Sequence, residues 1–173
     1  QQIRVDQDHR PSGPSIASYS LEGGAFRSRI SLDDPVSALQ YDPCFGRVIA
    51  GTHAGSVYIL DQDLGSYDRL EPGLEGAPCM IRSFHVRKEL HVVAAAQKRV
   101  ACMTPARVLW SASIDGMCAN ALVMDSKLYI TAWMPDACGG IDSGSSSIMV
   151  FDALSGEGRP GAPLFGTYAF GPL

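Results

Sequence analysis

The sequence predicts an all-β fold assembled from a repeated unit of four short strands. Three observations carry the prediction. Strand-like segments return at similar spacing, with RVIAGT (47–52), LHVVAA (90–95) and LYITAW (128–133) aligning at offsets of 43 and 38. Two of the following strands end alike, VYILDQDLG (57–65) and IMVFDALSG (148–156), each placing Gly four residues after Asp. Helical periodicity is nearly absent, while short strand-like runs with turn signals between them recur.

Each element has a local reason. VSALQY (36–41), CMIRSF (79–84) and CANALV (118–123) precede the three aligned strands, and the short polar turns DPCFG, HVRKE and MDSK follow them. Two of the strands that come next, VYILD and IMVFD, end in a turn in which Asp can bond the backbone ahead of it and Gly supplies a positive φ at no steric cost. This assigns turn roles to Asp61, Gly65, Asp152 and Gly156. ASYSLEGG (17–24) is a looser copy, with Glu22 in the acidic place. YDRL (67–70) and RVLWSA (107–112) supply outer strands. RKELHVVAAAQKRVACM (87–103) contains good helix formers, but its β-branched pair and its alignment with two strands predict a hairpin turning near residues 95–98.

Four short strands about every 40 residues, with turn signals between them, is the pattern of a β-propeller blade. Such a small sheet cannot bury both faces alone and is stabilised by stacking on its neighbours. The reading gives a partial blade over 1–29, blades over 30–71, 75–113 and 114–159, and the start of a further blade over 160–173. The first partial blade is expected to contribute its last two strands, IRVD and SIASYSL. About three and a half blades imply part of a larger ring or one that another chain completes, with a closed four-bladed ring as the alternative, because an open arc exposes sheet faces and strand edges.

The segment RVLWSASIDGMCANALVMDSKLYITAW…SSSIMVFDALSGEG (107–158) resembles the PQQ-like, quinoprotein-type repeat propeller, with a WD40-like propeller second. The resemblance implies a ring of seven or eight blades. It also implies that Trp110 packs as a wedge between adjacent blades. No W-D dipeptide or G-H opening is present, residues 87–104 lack the Asp and the Gly, and the first full unit has Tyr67 and Leu70 where a Trp is expected. A quinoprotein dehydrogenase would imply PQQ, calcium-ligating Glu, Asn and Asp residues and a vicinal disulfide. The chain has no adjacent cysteine pair and no motif from which such a ligand can be carried over.

Composition narrows the function classes. The 173 residues are 46% apolar and 18% charged, which is globular. A net charge of −4 argues against a nucleic-acid-binding surface. No apolar run approaches the roughly 20 residues of a membrane helix. The five cysteines show no C-x-x-C spacing, so a zinc site is not expected, and buried thiols in a reducing, intracellular compartment are. The chain does not begin with Met, which leaves room for an upstream targeting segment.

No catalytic constellation is expected, since the serines lack the G-x-S-x-G strand–turn–helix context. The four histidines lie on different turns and strands: His53 is expected to face water, and His91, aligned with Val48 and Tyr129, to pack. The long excursion MPDACGGIDSGSSS (134–147) and DQDHRPSGPS (6–15) form the expected partner-binding face, through Trp133, Asp136, Asp142, His9 and Arg10. The expected function is a non-catalytic scaffold for a protein or other macromolecule, or an accessory region of a larger enzyme. Its partner is then a protein, or the remaining blades of the same protein. The alternative is a PQQ- and calcium-dependent dehydrogenase-type propeller or another small-ligand binder.

Overall fold

The computed structural model describes residues 13–134, 145–159 and 163–164. Among them every regular element is a β-strand. The first sheet pairs β1 (Ser15–Tyr19) with β2 (Phe26–Ser31). The second orders β3 (Val36–Asp42), β4 (Arg47–Thr52), β5 (Val57–Asp61) and β6 (Tyr67–Leu70) as an antiparallel meander. The third does the same with β7 (Met80–Val86), β8 (Glu89–Ala96), β9 (Arg99–Thr104) and β10 (Arg107–Ser113). The fourth contains β11 (Met117–Met124), β12 (Lys127–Met134), β13 (Ser145–Asp152) and β14 (Gly158–Arg159). The ambiguous segment 87–103 is therefore a hairpin, with Gln97 at a positive φ of 41° in its turn.

Alternation decides what each strand buries. In β4 and β5, Ala50, Tyr58 and Leu60 meet Ile16 and Ile30 of the first sheet, while Ile49, Val57 and Ile59 point the other way, against Leu90, Val92 and Ala94 of the third. In β8 and β9, Val93, Ala95, Val100 and Cys102 take the opposite face and meet Leu128, Ile130 and Ala132 of the fourth. Three apolar seams thus hold four sheets in a row. Each fully buried branched side chain in them contributes about 1.5–3 kcal/mol.

The pairing corrects the sequence alignment by one residue. β3 and β4 close at Asp42↔Arg47 around a four-residue turn, whereas β7 and β8 close at Val86↔Glu89 and β11 and β12 at Met124↔Lys127 around two-residue turns. Arg47, Glu89 and Lys127 are therefore equivalent, and so are Val48, Leu90 and Leu128. His91 matches Ile49 and Tyr129, not Val48. A one-residue slip exchanges the two faces of a strand, and only the observed register puts every equivalent residue on the same face.

The first sheet also shifts. Ser20 N–H donates to the Ala25 carbonyl and Gly24 N–H to the Ser20 carbonyl, as Asp152 N–H donates to Glu157 and Gly156 N–H to Asp152. Ser20, not Glu22, occupies the Asp position, and β1 and β2 correspond to the last two strands of the later sheets. β2 runs across the expected 29/30 boundary. IRVD lies outside the described residues. Of the expected further blade over 160–173, β15 (Pro163–Leu164) is described, and it pairs with β13 of the fourth sheet.

Candidate functional site

The repeated Asp–Gly turn does different work in different sheets. Asp152 Oδ1 accepts from the backbone N–H of Leu154 at 3.0 Å and Ser155 at 2.8 Å. These two donors hold its carboxyl below the ordinary carboxylate value. Gly156 follows at φ 74°. Trp110 on β10 lies over this turn from the third sheet, with Nε1 donating to the Ala153 carbonyl at 3.1 Å and its ring stacked on Phe151 at 6.1 Å between centroids. Trp110, Asp152 and Gly156 thus form one joint across a seam. In the second sheet Asp61 instead bonds the side chains of Arg47 and Ser66. Leu64, at φ 56°, carries the left-handed conformation there, and Gly65 has no atom within 4 Å of where a Cβ would sit.

Of the residues expected to bind a partner, Trp133 is half-buried on β12, opposite Met117 and Ser146. Asp136, Asp142, His9 and Arg10 lie outside the described residues. His53 is exposed in its turn. His91 is buried, with Nδ1 donating to the Glu89 carbonyl at 3.2 Å and its ring on Phe84.

A second cluster was not visible in the sequence. Asp42 ends β3 and is 1% exposed. Its Oδ1 accepts from the N–H of Cys44 and Phe45, both at 3.0 Å, which shapes the four-residue turn. Its Oδ2 lies 2.7 Å from His85 Nε2 on β7, across the seam between the second and third sheets. Burial acts to raise the Asp42 carboxyl, but the Ser83 hydroxyl, the Phe45 amide and His85 outweigh it and leave it below the ordinary value. Cys44 projects from the same turn, and the ligand atoms of Asp42, Cys44 and His85 all lie within 4.8 Å of one another. Phe45 tilts on the His85 ring at 5.1 Å and also lines a cleft of about 470 Å³ with Arg47, Lys88, His91 and Arg107.

The two ends of the row differ from the seams. Leu39 and Tyr41, which pair with Ala50 and Val48 and so share the face turned toward the first sheet, are 59% and 51% exposed. Leu122 pairs with Tyr129 on the face of the fourth sheet turned away from the third, and is 58% exposed. Its equivalent in the third sheet, Phe84, packs into a buried seam.

No protein-family model matches the chain, and no curated protein does. Solved structures match along most of its length. BBS1N in complex with ARL6DN aligns with a TM-score of 0.64 at 11% identity, over 88% of this chain and 48% of that one. Hydrazine synthase of Kuenenia stuttgartiensis aligns with a TM-score of 0.64 at 11% identity, over 86% and 47%. BamB from Moraxella catarrhalis aligns with a TM-score of 0.57 at 18% identity, over 92% and 49%. The fold is that of β-propeller blades. At these identities the likeness extends to fold alone, and the chain spans about half the length of the chains it matches. Among the described residues no helix is long and apolar enough to cross a membrane.

Proposed function

We propose that this chain is a non-catalytic propeller scaffold whose open end faces dock protein, either further blades or a partner chain. The observation that carries the reading is Leu122, exposed where the equivalent Phe84 is packed under the next sheet. Leu39 and Tyr41 repeat the situation at the other end, where the two described strands of the first sheet lie against the four of the second. Apolar side chains of this kind, arranged on the pattern of a stacking surface, are ones that a docked protein would cover. A propeller seen in a complex with another protein, as in the structure of BBS1N with ARL6DN, is in keeping with it.

The test is affinity capture with the wild-type chain and with Leu39→Asp and Leu122→Asp variants. The reading predicts a protein recovered at least ~10-fold less by one or both variants, the loss expected when one central interface anchor is removed. Equal recovery of every protein contradicts it. Saturable calorimetric binding of PQQ with calcium near 1:1 contradicts it in favour of a small-ligand propeller.

A further inference from the structure

We propose that Asp42, Cys44 and His85 form a binding site for a divalent transition metal ion of zinc's class, at the seam between the second and third sheets. Thiolate, imidazole and carboxylate together are the donor set that suits zinc, and three protein ligands with an open fourth position complete a tetrahedral site. The three donor atoms already lie within 4.8 Å of one another. Metal–ligand bonds of about 2.0–2.3 Å bring such donors to roughly 3.3–3.8 Å apart, so the adjustment is of the order of an ångström. Cys44, exposed on a turn, closes its share by rotating its side chain, and Asp42 Oδ2 and His85 Nε2, now 2.7 Å apart, move apart by about half an ångström.

The site is prepared at its most buried member. The two backbone N–H bonds to Oδ1 fix the Asp42 carboxylate and leave Oδ2 directed at His85. Such hydrogen bonds orient a ligating carboxylate. The metal enters between Oδ2 and Nε2, displacing any proton held between them, and the Cys44 thiol gives up its proton to become the thiolate ligand.

The cluster belongs to this seam and is not a general blade feature. The residues equivalent to Asp42 are Val86 and Met124, and those equivalent to His85 are Tyr41 and Val123. The other seams therefore cannot repeat it. A metal here ties the second sheet to the third by bonds, and stabilises the folded chain by mass action.

Cobalt(II) titration of the 173-residue chain tests the proposal. The expected result is a thiolate-to-cobalt charge-transfer band with the visible absorption of tetrahedral cobalt, both bleached by added zinc. Cys44→Ser removes the charge-transfer band, and His85→Gln weakens cobalt binding by at least ~10-fold, while Cys79→Ser leaves both intact. Circular dichroism confirms that the exposed Cys44→Ser variant is folded. No thiolate band at millimolar cobalt, or a band that survives Cys44→Ser, overturns the proposal.

Discussion

The Trp110 ring of the third sheet lies directly over Gly156 of the fourth, where a Cβ would stand 2.6 Å from Trp110 Cδ2. One position thus combines a left-handed backbone, at φ 74°, with an interatomic clash. Gly156→Ala is expected to destabilise the chain by about 2–4 kcal/mol in urea unfolding, from backbone strain and overpacking together. Gly65→Ala, at the matching sequence position but in open space, is expected within about 0.5 kcal/mol of wild type. Equal losses at the two sites would show that the turn, and not the Trp110 joint, sets the requirement.

The same joint supplies a pH dependence. Asp152 has a depressed folded-state value, so its contribution is fully present above the unfolded carboxylate value of 3.8 and is lost as pH falls through the lower folded one. Asp152→Asn keeps an acceptor for Leu154 and Ser155 but cannot titrate. Unfolding midpoints taken at neutral and acid pH should therefore fall less steeply in Asp152→Asn than in wild type. Parallel slopes would remove Asp152 from the account.

Cys79, just before β7, lies beside Cys118 near the start of β11, the Cys79 Sγ lying 3.6 Å from the Cys118 carbonyl. A hydrogen bond from the Cys118 thiol, against the opposing effect of burial, lowers Cys79 to about 7, while burial pushes Cys102 up to about 12. Iodoacetamide should label Cys79 first, with its rate rising through neutral pH, and Cys102 only on unfolding. Labelling of Cys79 that rises only near the ordinary thiol value of 9.0 would contradict this.

The seam between the second and third sheets is lined by small residues, with Ala94, Ala96 and Ala101 fully buried beside Ile49 and Val92. Ala94→Leu should cost about 1–3 kcal/mol by overpacking. A neutral result in denaturant titration would mean that the sheets stand farther apart than described.

Much of the architecture was legible because it rests on local rules. RVIAGT and YDRL coincide with β4 and β6, and the hairpin over 87–103 follows from its β-branched residues despite its helix formers. The register was not legible. It depends on a four-residue turn at 43–46, against two-residue turns at Arg87–Lys88 and Asp125–Ser126, and on bulges in β3 and β11. The place of Ser20 was hidden for a related reason: backbone hydrogen bonds, not an acidic side chain, define that turn. Asp42 and His85 are 43 residues apart in sequence and meet only because two sheets stack. No spacing rule finds such a pair, and His85 read as one of four scattered histidines.

The open end faces are the central claim, and sedimentation of the purified chain over a range of concentrations tests them most directly. The account predicts reversible association of the wild-type chain, abolished in a Leu39→Asp, Leu122→Asp double variant that retains its circular dichroism. Association that persists unchanged in the double variant would contradict it.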